Sequence, residues 1–188
     1  MTDQETARRA VVRTADELFY ARGVQAVGMD AVRTAAGVSL KRIYSLFASK
    51  DELIAAVLRH RTEIWDTGLA AASERAATPR ARILVIFDFL DAWFREPSFR
   101  GCAFINMHGE LGSTSEAVSR AVREQKDGFQ KHVARLVADA GAPPELAPQL
   151  ALLAEGAQTT AAIAGTPDAA AHARAAAETL LDAAGITD

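Results

Sequence analysis

Cysteine is nearly absent from this sequence of 188 residues: Cys102 stands alone, which excludes an internal disulfide framework and favours a reducing compartment. No run of about 18 uncharged apolar residues occurs, so the sequence predicts no membrane-spanning helix. The N-terminal stretch is charged throughout and lacks the apolar run of a secretory signal. Apolar residues make up 49% of the chain and charged residues 24%, which argues against a disordered protein. We therefore expect a cytoplasmic, globular protein without membrane contact.

The usual signatures of catalysis and cofactor binding are missing too. No histidine or cysteine cluster has the spacing of metal ligands, and no glycine-rich loop suits a phosphate. Cys102 and His108 are the residue types of a nucleophile and a base, but no oxyanion-hole motif accompanies them. A lone cysteine in an apolar run packs as a small hydrophobic residue. We predict no catalytic residue, no metal site and no cofactor, and hence no enzyme.

Helical periodicity extends along almost the whole chain, and no segment has the convincing pattern of a strand. Glycines and prolines fall between the periodic segments. The sequence therefore predicts an all-α fold of about nine helices, in which short helices come first and longer ones follow. Their approximate bounds are 5–22, 29–36, 40–47, 49–73, 80–95, 101–111, 113–141, 147–164 and 167–184.

The most informative pattern lies in residues 29–53. Two short helical segments are joined at Gly37, and glycine supplies the left-handed backbone that a tight helix-turn-helix requires. The residues expected to form the small core are Val32, Val38, Ile43 and Phe47. The side chains left on the open side of the second helix are Leu40, Lys41, Arg42, Tyr44 and Ser45.

That open side is chemically suited to the major groove of DNA. Lys41 and Arg42 can donate to guanine acceptors or to phosphates, and Tyr44 can donate to a phosphate oxygen. Lys50 lies in the first turn of the next helix, where backbone amides already favour an anion. From spacing alone, the alternative is a structural helical hairpin with solvated charges, within a helical small-molecule-binding protein or an enzyme.

The N-terminal part of the chain is more basic than the rest, as DNA binding by that part requires. Residues 1–61 hold ten lysines and arginines against seven acidic residues, whereas the remainder holds eleven against seventeen. A basic N-terminal part on an acidic body is compatible with a nucleic-acid-binding head, although the excess is small.

The stretch AAGVSLKRIYSLFASKDELIAAVL resembles the DNA-binding domain of TetR-type bacterial transcriptional regulators. The matching residues are Gly23, Met29, Val32, Ala36, Gly37, Val38, Ser39, Ile43, Tyr44, Phe47, Ser49, Lys50, Leu53 and Ile54. The resemblance implies a helix-turn-helix domain over residues 1–58 and a helical ligand-binding and dimerisation domain over residues 59–188. It also implies a homodimer that binds a palindromic operator in double-stranded DNA and represses transcription until a small organic molecule releases it.

The resemblance also implies a set of DNA-contacting positions. They are Gly28, Met29, Arg33, Ser39, Leu40, Lys41, Arg42, Tyr44, Ser45 and Lys50. This chain departs from the family pattern at Val27 and Gly28, where hydroxyl residues are common, and at Arg33, where alanine is usual. Lys41 and Arg42 replace a small pair, and the sequence leaves open whether they contact bases or backbone. Arg42 is favoured for a base contact, because its planar fork suits the two acceptors of guanine.

Beyond residue 60 the resemblance weakens, although RGCAFINMHGELG is similar to a segment of many TetR-type regulators. Ligand pockets are mostly apolar with a few polar groups. The aromatic residues beyond residue 60 therefore predict a cavity for an apolar or weakly polar molecule. The expected lining residues are Trp65, Phe87, Leu90, Trp93, Phe94, Phe104, Asn106, Met107, Glu110 and Phe129. For each aromatic residue alone, plain core is the competing interpretation. Asn106 favours the pocket, because a buried amide needs partners.

Small residues dominate the last two predicted helices, and such faces permit close helix approach. The positions expected at a homodimer interface are Leu150, Ala154, Ala157, Gln158 and Ala161 on one helix, and Ala173, Ala176, Ala177 and Leu180 on the other. Packing inside one chain is the alternative. The resemblance favours the interface, because TetR-type regulators commonly dimerise through their last two helices.

Overall fold

The structure, a computed structural model, describes residues 3–187, and this part of the chain contains nine α-helices and no strand. The predicted all-α fold is therefore confirmed. The helices are α1 Asp3–Arg22, α2 Met29–Ala36, α3 Leu40–Leu46, α4 Lys50–Ser73, α5 Pro79–Phe94, α6 Ala103–Leu111, α7 Glu116–Asp139, α8 Leu146–Ala164 and α9 Asp168–Ala183. None of the helices between residues 3 and 187 has the length and hydropathy that a membrane crossing requires.

Local capping chemistry explains why several helices begin where they do. The Ser49 hydroxyl accepts from the Glu52 amide at 3.2 Å, and the Glu52 carboxylate accepts from the Ala48 amide at 2.8 Å. This reciprocal pair is the capping box that opens α4. At α5, the Thr78 hydroxyl accepts from the Ala81 amide at 3.1 Å, and Pro79 occupies the first helical position.

The helices form two compact units. The N-terminal unit holds the described residues up to Ile64 together with Ala103–Arg123. The C-terminal unit holds Trp65–Cys102 and the described residues from Glu124 onwards. The domain boundary between residues 58 and 59 stays a prediction, and in the structure α6 belongs to the same unit as α1, α2 and α3. The reason is that α6, which lies far beyond that boundary, is hydrogen-bonded to the loop after α1.

In the N-terminal unit, α1, α2 and α3 pack against one another around a small apolar core. Val32, Ile43 and Phe47 are fully buried, as predicted. Val38 is half-buried. The Arg8 guanidinium of α1 lies 4.1 Å from the centre of the Phe47 ring, so α1 also covers the end of α3.

A buried ion pair joins α1 to α4 inside the same unit. Arg61 donates to the Asp16 carboxylate, and the Arg61 guanidinium lies 4.1 Å from the centre of the Tyr20 ring. Burial raises the pKa of Asp16 above its ordinary value, and the attraction of Arg61 offsets only part of that rise. Removing either partner would leave the other charge buried and unpaired, so this pair fixes the register of α1 on α4.

In the C-terminal unit, α5, α8 and α9 pack around one large apolar cluster. The cluster includes Leu150, Ala154, Ala157 and Ala161 of α8, and the neighbouring Gln158 is buried as well, with each of the five residues 5% exposed or less. Ala173 and Ala177 of α9 are likewise buried, and Ala176 and Leu180 are half-buried. The seven buried residues of the predicted dimer interface are covered within one chain, because α8 and α9 pack on each other and on α5. A dimer contact through Ala176 and Leu180 stays a prediction.

Candidate DNA-binding interface

The turn between α2 and α3 depends on Gly37. Its φ is +66°, in the left-handed region that glycine enters without steric cost. The Val38 amide donates to the Arg33 carbonyl at 3.2 Å and so closes the end of α2. Ser39 then caps α3, because its hydroxyl accepts from the Arg42 amide at 3.1 Å. These five residues orient α3 across the end of α2.

The short helix α3 has one buried and one open side. Ile43 and Leu46 are buried in the unit's core. Leu40 is 47% exposed and Tyr44 is 48% exposed, which is unusual for large apolar or aromatic side chains. Lys41 and Ser45 are exposed as well. The open side therefore offers an ammonium group, a phenol and a hydroxyl beside an apolar contact, which is the mixture of groups that a base-reading surface uses.

Two of the predicted DNA-contacting arginines are paired with carboxylates. The Arg42 guanidinium lies 3.2 Å from the Asp3 carboxylate, and that of Arg33 lies 2.8 Å from the Asp30 carboxylate. Asp3 and Asp30 are well exposed, so water weakens both attractions. Both arginines can leave these partners for a stronger anion such as a phosphate.

Lys50 has a structural role in addition to the predicted one. Its ammonium donates to the Val24 carbonyl at 2.6 Å and lies 5.8 Å from the centre of the Phe19 ring. An ammonium carries three donors, so one bond to the backbone leaves others for a phosphate. Lys50 thus ties the start of α4 to the loop that leads into α2.

Glu110, predicted to line a ligand pocket, also binds that same loop. Its two carboxylate oxygens accept from the amides of Val24 at 3.1 Å and Gln25 at 2.9 Å, and the Gln25 side chain donates to the Glu110 carbonyl. Gly23 permits the approach: a Cβ there would lie 3.2 Å from the carboxylate oxygens, and its φ is +85°. The loop between α1 and α2 is therefore hydrogen-bonded to α6 through Glu110 and to α4 through Lys50.

Asn106 is exposed, so the expectation of a buried amide is wrong. α6 turns this residue outward, whereas Phe104 and Met107 on the same helix are buried. Asn106 borders an open cavity of about 370 Å³ in the N-terminal unit, lined by Phe19, Tyr20, Gly23, Ala103, Asn106, Met107, Gly109 and Glu110.

The remaining predicted pocket residues belong to the C-terminal unit. Phe87, Leu90, Phe94 and Phe129 are buried in its apolar cluster, and Trp65 and Trp93 pack against that cluster while half-buried. Trp65 makes edge-to-face contacts with Phe89, Trp93 and Phe129, at ring-centre distances of 5.3, 5.7 and 5.7 Å. Ligand binding by these residues remains a prediction.

Polar atoms without a hydrogen-bond partner also lie in this unit. Gln125 Oε1, His132 Nε2 and Glu155 Oε1 are buried without a hydrogen-bond partner. Burial, helped by the nearby Arg135 charge, lowers the pKa of His132, and the opposing effect of Asp66 is smaller. The sequence gives one signal for these polar atoms, which is helical spacing. It places Gln125, Phe129 and His132 on one face of α7. Among residues 3–187, no three histidine, cysteine or carboxylate side chains come together as a metal site would require.

A helix-turn-helix with a polar and aromatic outer face defines a DNA-binding protein, and the comparisons with known proteins agree. The family model "Bacterial regulatory proteins, tetR family" matches residues 11–57, and the model "Tetracyclin repressor-like, C-terminal domain" matches residues 79–177. The chain belongs to the TetR family of DNA-binding transcriptional regulators.

Similar proteins include two solved structures from Streptomyces. A TetR-family transcriptional regulator from Streptomyces coelicolor is 27% identical, with 96% of each chain covered and a TM-score of 0.89. A TetR-type regulator from Streptomyces avermitilis is 32% identical, with 96% of this chain and 99% of that chain covered and a TM-score of 0.82. The transcriptional activator FasR of Mycolicibacterium smegmatis is 33% identical over 92 residues, which are 47% of this chain and 42% of that protein.

Proposed function

We propose that the protein is a cytoplasmic repressor that binds a palindromic operator as a homodimer and is released by a small organic molecule. The observation that carries the proposal is the open side of α3, where Lys41, Tyr44 and Ser45 stand exposed beside Leu40. A two-fold dimer places its recognition helices about 34 Å apart, so the operator is a near-palindrome read in successive major grooves. No catalytic step is part of this function.

The second copy is proposed to bind the outer face of α8. Leu152 is 74% exposed and Ile163 is 83% exposed, and Gly156 and Thr159 lie between them on the same face without a charge. Exposed apolar side chains on an uncharged helix face are typical of a contact with another protein. The occupant is a second copy of this chain, because both last helices also present exposed small residues that allow close helix approach.

The experiment that tests the function is selection of bound sequences from random duplex DNA by the full-length protein. The selected sequences are expected to be inverted repeats. A reporter with the selected site overlapping its promoter then separates repression from activation, since a repressor lowers expression and an activator placed upstream raises it. Selected sequences without an inverted repeat would contradict the dimer, and the absence of any enriched sequence would contradict specific binding.

Tyr44 and Lys50 are predicted to hold phosphates. Tyr44→Phe removes a hydroxyl donor, so it is expected to weaken binding to the operator and to random DNA by the same factor, about 5–10-fold for one hydrogen bond. Lys50→Ala is expected to do the same and to lower the slope of log K against log salt by about 1. Because Lys50 also bonds to the Val24 carbonyl, the melting temperature is measured in parallel. A changed sequence preference in Tyr44→Phe would contradict the phosphate assignment.

Arg42 is predicted to read a guanine. Arg42→Ala is expected to cost about 1–3 kcal/mol of operator affinity and to relax the preference at one base pair of each half-site. Asp3→Asn is the matched control, because it removes the negative charge beside Arg42 and leaves the guanidinium in place. The control is expected to leave the selected sequence unchanged. If Arg42→Ala leaves the base-pair preferences of the selected sequences unchanged, the assignment to Arg42 is contradicted and Lys41 becomes the candidate for the base contact.

A further inference from the structure

The C-terminal unit buries hydrogen-bond acceptors that the protein itself does not satisfy. Gln125 Oε1 on α7 and Glu155 Oε1 on α8 have no partner. Buried acceptors of this kind are rare in folded proteins, because they lose water without gaining a bond. Each therefore marks a place where a donor from outside the chain would be stabilised.

Lys126 follows Gln125 on α7, lies near Glu155 and is itself weakly bound. Its ammonium lies 3.7 Å from the other oxygen of Glu155 and 3.6 Å from the Cys102 sulfur. The distance to Glu155 exceeds the length of about 2.7–2.9 Å that a charged hydrogen bond to oxygen adopts, and the thiol sulfur is only a weak acceptor. The Lys126 and Glu155 charges sum to zero, so the group presents a donor and an acceptor side by side without net charge.

An aromatic residue shares the helix face of Gln125 and Lys126. Phe129 follows Gln125 by four positions and Lys126 by three, so it shares their side of α7. Its ring centre lies 5.7 Å from that of Trp65, edge to face, and Trp65 in turn contacts Trp93. The C-terminal unit therefore contains both the aromatic pair Phe129 and Trp65 and the donor–acceptor pair Lys126 and Glu155.

We propose that Lys126 and Glu155 bind the hydroxyl group of a neutral aromatic alcohol or phenol whose ring packs against Phe129 and Trp65. The hydroxyl donates to Glu155 Oε1 and accepts from the Lys126 ammonium. A cationic head group would compete with Lys126 for the Glu155 carboxylate, and an anionic head group would be repelled by that carboxylate. This assignment rests on the proposed release by a small molecule, and it names the chemical class of that molecule.

The first test compares four probes with one biphenyl body on the full-length protein: 4-phenylphenol, biphenyl, 4-phenylbenzylamine and 4-phenylbenzoate. Binding is measured by the fluorescence of Trp65 and Trp93, the two tryptophans of the chain. The phenol is expected to bind at least about tenfold more tightly than each of the other three, since a site built to bond a hydroxyl rejects analogues that lack it. Equal binding of biphenyl, tighter binding of a charged probe, or no binding by any probe would overturn the assignment.

The second test removes the polar pair. The double variant Lys126→Met with Glu155→Leu replaces both partners by side chains of similar size, so neither is left as an unpaired charge. The preference for the phenol over biphenyl is expected to fall to within about twofold, because both hydrogen bonds to the ligand hydroxyl are removed. The matched control is Lys131→Met with Asp127→Leu, which removes an exposed ion pair on the same helix. A preference that survives in the double variant, or one that is lost equally in the control, would refute the site.

Operator release is measured separately, so that a failure of the proposed binding site can be distinguished from a failure of the proposed ligand response. A phenol that binds through Lys126 and Glu155 without lowering the affinity for selected DNA supports the site and contradicts the ligand response. A compound that releases DNA equally from the native protein and the double variant supports the response and contradicts the site.

Discussion

Ile163→Arg is expected to convert the protein from a dimer to a monomer without unfolding it. Ile163 is 83% exposed in the single chain, so an arginine there is solvated in the monomer and becomes buried only when a second copy covers α8. Sedimentation velocity at micromolar concentration is expected to give a dimer for the native chain and a monomer for the variant. Operator affinity is expected to fall by at least about 100-fold, because each half-site is then bound alone.

Ala161→Arg provides the contrast that locates the interface. Ala161 lies two positions before Ile163 and is only 2% exposed, inside the cluster formed with α5 and α9. An arginine there is expected to cost several kcal/mol of stability, on the order of 3 or more, whether or not a dimer forms. Circular dichroism on heating distinguishes the two variants. A monomeric native chain, or an Ile163→Arg variant that remains dimeric, would contradict the proposed interface.

The sequence could not choose between the two faces of α8, because both carry the same pattern. Leu150, Ala154, Ala157 and Ala161 recur at i, i+4, i+7 and i+11, and so do Leu152, Gly156, Thr159 and Ile163. The two stripes are displaced by two residues, which is roughly 200° around the helix. Which stripe is buried depends on α5 and α9, and no local signal reports their position.

Other features were predictable because their causes are local. The left-handed turn at Gly37, the capping box of Ser49 and Glu52, and the proline that opens α5 each depend on residues only a few positions apart. The role of Glu110 was not predictable, because its partners Val24 and Gln25 lie 86 and 85 positions away. A glutamate in an apolar stretch gives the same signal whether it binds a ligand or a backbone amide.

Glu110→Ala is expected to destabilise the N-terminal unit and to weaken operator binding. The variant leaves the Val24 and Gln25 amides without their acceptor, and Val24 is only 1% exposed, so replacement by water is incomplete. Hydrogen bonds to a charged group are worth about 1.5–3 kcal/mol each, and we expect the free energy of unfolding to fall by about 2–4 kcal/mol. The loop leads directly into α2, so operator affinity is expected to fall as well.

Hydrogen exchange measures the Glu110 prediction most directly, because the amides of Val24 and Gln25 are expected to lose protection while those within α1 retain it. Glu110→Gln is the conservative variant: it keeps one acceptor oxygen and places an amide donor where the second stood, so we expect it to recover about half of the lost stability. Glu17→Ala, an exposed glutamate on α1, is the control and is expected to change the free energy of unfolding by less than about 0.5 kcal/mol. Unchanged protection of the two amides in Glu110→Ala would show that the loop is held by Lys50 and its own packing rather than by α6.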